Sequence, residues 1–287
     1  MVGSVGCESA SSAVSVAAIE DRLRTAGCVF AEDEARLLVA AGGSPADVAA
    51  LVERRVSGYP LEYIVGWAEF AGLRIELDAG VFVPRRRTEL MVNEAVALLS
   101  KDAVHGSPAR VTRQQIPARA AVVVVDLCCG SGAAGAAIAS RLERLELHGA
   151  DVDPAAVACA ARNVAKVGGA VHQGDLYDAL PASLRGKISV LTANAPYVPT
   201  AEIATMPREA RDYEPLLSLD GGADGLDLHR RVAEGASEWL RAGGHLIIET
   251  SDRQAGDTAS IMSAAGLAVR IVRSEELDGT VAVGRIG

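Results

Sequence analysis

The second half of the chain alternates between short apolar runs and helical stretches rich in small residues, and this alternation constrains the fold most. The apolar runs contain almost no polar positions, which is typical of parallel strands that are covered on both faces. Strands and helices that alternate in this way form a doubly wound α/β sheet. We predict strands at residues 122–127, 146–151, 170–173, 188–193 and 245–249, helices at 133–145, 155–167, 232–240 and 257–265, and two more strands between 267 and 285.

The beginning of the chain follows two other patterns. Between residues 15 and 55 the apolar positions recur at helical spacing, and Ser44-Pro45 is a typical start of a helix. Residues 67–83 alternate apolar and polar positions around Gly72, as in a β-hairpin. We therefore predict a small N-terminal helical domain that is followed by a connecting hairpin.

A polar segment separates these parts from the α/β domain. A helix is predicted from Glu89 to Leu99, and the stretch after it contains proline and lacks periodicity, which predicts a mobile loop. The predicted organisation is a helical domain at 1–66, a hairpin and linker helix at 67–99, a mobile loop at 100–121 and the α/β domain at 122–287.

Composition narrows the function classes. The net charge of −9 argues against direct binding of nucleic acid over the whole surface. The five cysteines show no C-x-x-C spacing, which indicates a reducing, cytoplasmic location, and the five histidines show no metal spacing. No apolar run approaches the ~18 residues needed to cross a bilayer, and no signal peptide is evident at the start. We expect a cytoplasmic protein without a metal or membrane site.

A glycine-containing turn follows the first strand of the α/β domain, with the sequence Asp126-Leu127-Cys128-Cys129-Gly130-Ser131-Gly132. Gly130 and Gly132 allow a tight turn, and the following helix offers free N–H groups to a ligand. An acidic residue before the turn would repel a pyrophosphate but suits a cation. Asp151 ends the next strand and Asp175 follows the third strand, where acidic side chains bind the ribose and the base of a nucleotide. These residues predict a cofactor site for a cationic nucleoside.

The segment Asn194-Ala195-Pro196-Tyr197 ends the strand at 188–193. Proline cannot continue a β-ladder, so the Asn194 carboxamide and the Ala195 carbonyl are left at the edge of the sheet. Two acceptors held close together suit a planar –NH2 group. We predict that Asn194, Ala195, Pro196 and Tyr197 form the catalytic site for chemistry on an amide or amino nitrogen, with Asn194 also bordering the cofactor.

Several segments resemble the HemK/PrmC protein-glutamine methyltransferases, a family within the class I methyltransferases. The turn at 126–132 is similar to D/E-x-G-x-G-x-G, and Asn194 to Tyr197 is similar to N-P-P-Y. Further matches are residues 60–66 to P-L-Q-Y-L-x-G, 82–90 to I-P-R-P-E-T-E-L, 214–226 to E-P-x-x-A-L-x-G-G-x-D-G-L, and Glu249 with Gln254 to E-x-G-x-x-Q.

The resemblance implies a Rossmann-like fold, S-adenosylmethionine as the cofactor and the side-chain amide of a glutamine as the acceptor. In this family the acceptor is typically in the G-G-Q loop of a peptide-chain release factor, and one branch modifies a ribosomal protein instead. The resemblance also implies that the N-terminal domain docks the protein substrate. The basic residues Arg85, Arg86 and Arg87 leave open a patch for contacts at the ribosome. Asn194 and the Ala195 carbonyl would then accept the two amide protons.

The chain departs from the family pattern at a few positions. Ala195 replaces the first proline of N-P-P-Y, Cys128 replaces a glycine, and Ser189 stands where the family usually has aspartate. Two other functions therefore stay open: methylation of an exocyclic amino group of adenine in RNA or DNA, and a binding protein whose catalytic site has decayed.

Overall fold

The computed structural model describes residues 15–105 and 122–287, and the chain divides into two compact units, Met1–Gly66 and Trp67–Gly287. In the first unit, Ser44 caps a helix as predicted, because its hydroxyl oxygen accepts the N–H of Asp47 at 3.2 Å and Pro45 is the first helical residue. Apolar side chains such as Leu23 and Leu38 are fully buried between the helices. These helices are α1 (Val16–Thr25), α2 (Ala31–Ala41), α3 (Pro45–Val56) and α4 (Leu61–Val65).

The second unit contains a hairpin and an α/β domain. The hairpin is formed by β1 (Trp67–Phe70) and β2 (Leu73–Glu76). The remaining elements are α5 (Glu89–His105), β3 (Val122–Leu127), α6 (Ala133–Ser140), β4 (Leu145–Asp151), α7 (Pro154–Ala165), β5 (Ala170–Gln173), β6 (Ile188–Ala193), α8 (Arg208–Tyr213), α9 (Asp227–Trp239), β7 (Leu240–Thr250), α10 (Ala255–Ala264), β8 (Ala268–Ser274) and β9 (Gly279–Arg285).

The seven-stranded sheet has the order β5-β4-β3-β6-β7-β9-β8. Neighbouring strands from β5 to β7 are parallel, and β9 is antiparallel to both β7 and β8. The strand order reverses between β3 and β6, and ligands of doubly wound sheets bind at the carboxyl ends of the strands beside such a reversal. The predicted doubly wound α/β sheet is confirmed.

Helices cover both faces of the sheet, as the apolar strands predict. Val124 of β3 packs with Met91 of α5 and Ala137 of α6 on one face. Its neighbour Val125 packs on the other face with Trp239 of α9. Successive side chains of a strand point to opposite faces, so a strand that is apolar throughout contributes to both cores.

Helix α5 is longer than predicted. It continues to His105, whereas we predicted its end at Leu99 and a loop from residue 100. No glycine or proline occurs before Gly106, so nothing in the sequence stops the helix earlier. The rest of the predicted mobile loop, residues 106–121, lies outside the described residues. Within the described ranges, no helix is both long enough and apolar enough to cross a membrane.

Other helix and strand ends differ from the predicted ones because the pairing of strands outweighs the local sequence pattern. Helix α6 was predicted to reach Leu145, but it ends at Ser140, since Leu145 pairs with Val122 at the start of β4. Strand β7 begins at Leu240, opposite Ile188, and the helix before it ends one residue earlier. The short helix α4 was not predicted.

Candidate active site

The loop between β3 and α6 passes through three residues of positive φ. Cys128, Gly130 and Gly132 have φ values of 54°, 53° and 76°, so every second residue is left-handed. Glycine adopts this conformation readily, whereas the Cβ atom of a cysteine strains it. Gly132 is also required for space, because a Cβ there would lie 2.8 Å from Cγ2 of Val164 on α7. The backbone therefore has the shape expected of three glycines, although one of them is Cys128.

Asp126 is buried at the end of β3 and is bound by protein donors. Its Oδ2 accepts the N–H of Gly135 at 3.1 Å, and its Oδ1 accepts the hydroxyl proton of Thr192 at 2.8 Å. Burial raises the pKa of Asp126 to about 6, against the effect of these hydrogen bonds. Asp126 therefore fixes the loop to α6 and β6, and it adds negative charge to this end of the site.

Two more carboxylates follow the neighbouring strands. Asp151 at the end of β4 accepts the N–H of Gly130 at 2.8 Å and that of Asp153 at 3.0 Å, and burial raises its pKa. Asp175 follows β5, and its Oδ2 lies 2.8 Å from Nη2 of Arg231 on α9. The strand ends of β3, β4 and β5 thus each bring a carboxylate to the same edge of the sheet.

Asn194 projects from the end of β6 with a defined orientation. Its Nδ2 donates to the hydroxyl oxygen of Thr88 at 3.2 Å. No described residue donates a hydrogen bond to its Oδ1 or to the carbonyl oxygen of Ala195. Both acceptors belong to residues that line the same cavity. This end of the site can therefore bind a group that carries two N–H bonds.

Two side chains hold the Asn194-Ala195-Pro196-Tyr197 turn from behind. The Tyr197 hydroxyl donates to Oε1 of Glu249 at 3.4 Å, and burial raises the pKa of Tyr197 to about 12. Nε2 of Gln254 donates to the carbonyl oxygens of Tyr197 and Asp224, both at 3.0 Å. The turn is thereby fixed to β7 and to the glycine-rich segment at 221–225.

An ion pair with a buried carboxylate fixes the segment that precedes α5. Nη2 of Arg85 donates to Oε1 of Glu214 at 2.5 Å, and the N–H of Val83 donates to the same oxygen at 3.3 Å. The Glu214 side chain is 1% exposed, compared with 35% for Arg85. This pair holds together two segments that are 129 residues apart in sequence, and both border the cavity.

A cavity of about 410 Å³ joins the two ends of the site. The structure brings almost all of the predicted residues to its wall: Asn194, Ala195, Pro196, Tyr197, Asp126, Cys128, Cys129, Gly130, Ser131, Asp151 and Asp175. Gly132 is the exception, because it packs against α7 and acts on the cavity through the shape of the loop.

Sequence reasoning missed several other residues of the wall. Thr88 and Glu214 lie in segments that match family motifs, and these matches were the available signal. Arg231, on α9, had no signal because only folding brings it to Asp175. Apolar side chains complete the wall, among them Phe70, Phe82, Met206 and Leu217.

The chemistry of the wall suits a cationic nucleoside such as S-adenosylmethionine, which carries a sulfonium and an ammonium. The volume lies within the range of about 300–1,000 Å³ that is common for small-molecule sites. Carboxylates lie on one side, and the left-handed loop exposes backbone beside them. Burial raises the pKa of both Cys128 and Cys129 above the usual thiol value, which favours the protonated thiol over the nucleophilic thiolate.

Comparison with known proteins identifies relatives of the chain. Residues 89–206 match the methyltransferase small domain family. A release factor glutamine methyltransferase of Geobacter sulfurreducens is 34% identical over 228 residues, which cover 78% of this chain and 72% of that protein. The corresponding enzyme of Streptomyces coelicolor is 35% identical, with 74% and 70% covered.

A third relative has another name. It is a 4-amino-L-phenylalanine/4-methylamino-L-phenylalanine methyltransferase of Streptomyces pristinaespiralis, which is 33% identical over 75% of this chain and 69% of its own length. The sheet order, the loop after β3 and these similarities agree on a class I methyltransferase with a Rossmann-like domain. The chain belongs to the release factor glutamine methyltransferase family, and it is a methyltransferase.

Proposed function

We propose that the protein transfers a methyl group from S-adenosylmethionine to the side-chain amide nitrogen of a protein glutamine, in the G-G-Q loop of a peptide-chain release factor. One observation carries the proposal. The NH2 group of Asn194 is bound to Thr88, so the carboxamide oxygen is left for a substrate beside the carbonyl of Ala195. This pair of acceptors complements the two N–H bonds of a primary amide.

An amide nitrogen is a weak nucleophile because its lone pair is delocalised into the carbonyl group. Asn194 Oδ1 and the Ala195 carbonyl would hold the two N–H bonds and direct the lone pair at the methyl group. S-adenosylmethionine supplies this methyl group on a sulfonium, and the electrons of the broken C–S bond stay on sulfur. The same two oxygens stabilise the positive charge that develops on nitrogen, which then loses one proton.

The other residues would bind the cofactor and shape the pocket. Pro196 and Tyr197 would form the wall that excludes water from the acceptor amide. On the cofactor side we assign the loop at 128–132, Asp151 and Asp175 to S-adenosylmethionine, with Asp126 acting through its charge. We further propose that residues 1–66 dock the protein substrate and that the reaction takes place in the cytoplasm.

The test is transfer of a labelled methyl group to a set of acceptors. These are an intact release factor, a peptide of its G-G-Q loop, a ribosomal protein, RNA and 4-amino-L-phenylalanine, the last because one relative is named for it. We expect label in the release factor and the peptide, and none when the glutamine is replaced by glutamate. Label only in RNA, in the ribosomal protein or in the free amino acid would overturn the proposed substrate.

The Asn194→Ala variant tests the mechanism. It removes one of the two acceptors, so we expect kcat to fall by about 10²–10³-fold, the usual loss for one stabilising group. Binding of S-adenosylmethionine, measured by calorimetry, should change by less than about threefold. The interaction that is lost acts in the transition state and does not contribute to ground-state binding of the cofactor. Equal loss of binding and transfer would assign Asn194 to the cofactor, and no binding by the wild type would indicate a decayed site.

A further inference from the structure

A buried asparagine on α7 joins the hairpin to the loop that follows β3. Asn163 is 2% exposed and does not line the cavity. Its Nδ2 donates one proton to the carbonyl oxygen of Ser131 at 2.9 Å and the other to that of Glu76 at 2.8 Å. Its Oδ1 accepts the N–H of Glu76 at 2.9 Å. Both protons of this carboxamide are therefore used, and these three partners are backbone groups of two different segments.

The three bonds allow one orientation of the carboxamide. A reversed Asn163 would place its oxygen against two carbonyl oxygens and an N–H bond against the N–H of Glu76. Such contacts are repulsive, and they cost most in a buried site, where water cannot replace the lost partners. In the observed orientation the side chain binds both backbone groups of Glu76, as a neighbouring strand would, and it completes the outer edge of β2.

Both joined segments contribute to the wall of the cavity. Ser131 belongs to the loop after β3 and is itself a wall residue, 3% exposed. The hairpin contributes Phe70, and Phe82 follows the hairpin in the chain. A Cβ at Gly130 would lie 3.9 Å from the Cβ of Phe82, so the loop and the segment after the hairpin lie close together. Asn163 thus connects two parts of the wall from outside the cavity.

We propose that Asn163 is a positioning residue for binding of S-adenosylmethionine. It holds the carbonyl group of Ser131 toward α7, and Gly132 packs against the same helix, so two neighbouring residues fix the left-handed loop. Through Glu76 it also fixes the hairpin. A loop that is ordered before binding does not lose this freedom when the cofactor binds. This inference rests on the proposed function, in which the loop is assigned to S-adenosylmethionine.

The Asn163→Ala variant tests this role through the affinity for the cofactor, measured by calorimetry. It removes all three hydrogen bonds, so the loop has to be ordered at the moment of binding. We expect the Kd of S-adenosylmethionine to rise by about tenfold or more. The kcat on a G-G-Q peptide at saturating cofactor should stay within about threefold of the wild type, since the acceptor end at Asn194 is unchanged.

Cys159→Ala is the matched control on the same helix. Sγ of Cys159 donates to the same carbonyl oxygen of Glu76 at 3.3 Å, so this variant weakens the contact with the hairpin and keeps the bond to Ser131. Its Kd should stay within about twofold of the wild type. All proteins are compared well below their Tm, so that a general loss of stability does not enter the measured Kd.

Hydrogen exchange of the wild type gives a second readout that requires no substitution and no activity. The N–H of Glu76 exchanges only when its bond to Asn163 opens. If this opening also releases the loop, the cofactor has to dissociate first. At about 100 times its Kd, S-adenosylmethionine should therefore slow the exchange of Glu76 by about 10- to 100-fold. The N–H of Val124, in the core strand β3, reports global unfolding and separates it from this local opening.

The outcomes separate this inference from the proposed function. An unchanged Kd in Asn163→Ala, or an equal rise in Cys159→Ala, would overturn the positioning role. If Asn163→Ala does not fold, the exchange of Glu76 in the wild type decides, and a rate that the cofactor does not change would overturn the role.

A further variant tests the assignment of the loop itself. Asp151 accepts the N–H of Gly130, so Asp151→Ala changes the same site independently of Asn163. A wild-type protein that binds S-adenosylmethionine with a Kd that neither Asp151→Ala nor Asn163→Ala changes would refute the assignment of the loop. A protein that shows the expected changes in Kd but methylates no glutamine would refute the proposed substrate and support the role of Asn163.

Discussion

Cys128 shows how a single residue can conflict with the backbone that carries it. Its φ of 54° continues the left-handed alternation with Gly130 and Gly132. A left-handed conformation costs a residue with a Cβ atom about 1–2 kcal/mol. The adjacent Cys129 has no positive φ and is buried. Two chemically identical neighbours therefore differ in backbone strain, which makes them a matched pair.

Substitution by glycine and alanine separates this strain from the loss of the thiol. Cys128→Gly should be more stable than Cys128→Ala by about 1 kcal/mol, because only glycine relieves the left-handed strain. At Cys129 the order should reverse, with Ala more stable than Gly by about 0.5–1 kcal/mol. Urea unfolding of the four variants measures both differences. A Cys128→Ala protein as stable as Cys128→Gly would contradict the prediction.

At the scale of elements, local patterns predicted the sheet but not the contacts that complete the site. Fully apolar runs predict covered strands, and Gly130 with Gly132 predicts the turn, because neighbouring residues determine both. The bond between Asn194 and Thr88 spans 106 residues, and Glu249 reaches Tyr197 only through the pairing of β6 with β7. Nothing in a local pattern predicts that a carboxyl group will be buried behind another strand.

Ala195 restricts its φ less than a proline would. The glycine-rich segment at 221–225 supplies the missing rigidity. A Cβ at Gly225 would lie 2.3 Å from the carbonyl oxygen of Tyr197, and one at Gly221 would lie 2.7 Å from that of Pro196. The two backbones are therefore in direct contact. Gln254 connects them further by donating to a carbonyl oxygen on each side. The turn is fixed by its neighbours, so the Ala195 carbonyl can stay in place without a proline.

Gln254 tests this account because it touches the turn without lining the cavity. Gln254→Leu removes both hydrogen bonds at similar size, so we expect kcat to fall by about 10-fold or more as the acceptor carbonyl loses its alignment. Affinity for S-adenosylmethionine should stay within about threefold. Adding Ala195→Pro should recover part of kcat, because proline restricts φ. An equal loss in the single and double variants would contradict this compensation.

Over the whole molecule, several buried groups link stability to pH, among them Glu249, Asp126 and His229. Burial raises the pKa of Glu249 to about 7 and that of Asp126 to about 6, and it lowers the pKa of His229 to about 4. Between its unfolded and folded pKa, each acid binds more protons in the folded state, so the free energy of unfolding falls as pH rises. His229 binds fewer protons when folded, and its contribution rises with pH over about 4 to 6.5.

Glu249→Gln isolates one contribution from this sum. Arg87, Thr88 and Tyr197 face Glu249 and favour its charged form, yet burial dominates and raises its pKa from 4.5 to about 7. Since each pKa unit corresponds to about 1.4 kcal/mol, the wild type should lose about 2.5 kcal/mol relative to the variant between pH 5 and 8. Asp126 and His229 contribute equally to both proteins and cancel in the difference. Urea unfolding across this range measures it, and parallel curves would show that Glu249 titrates alike in the folded and unfolded chain.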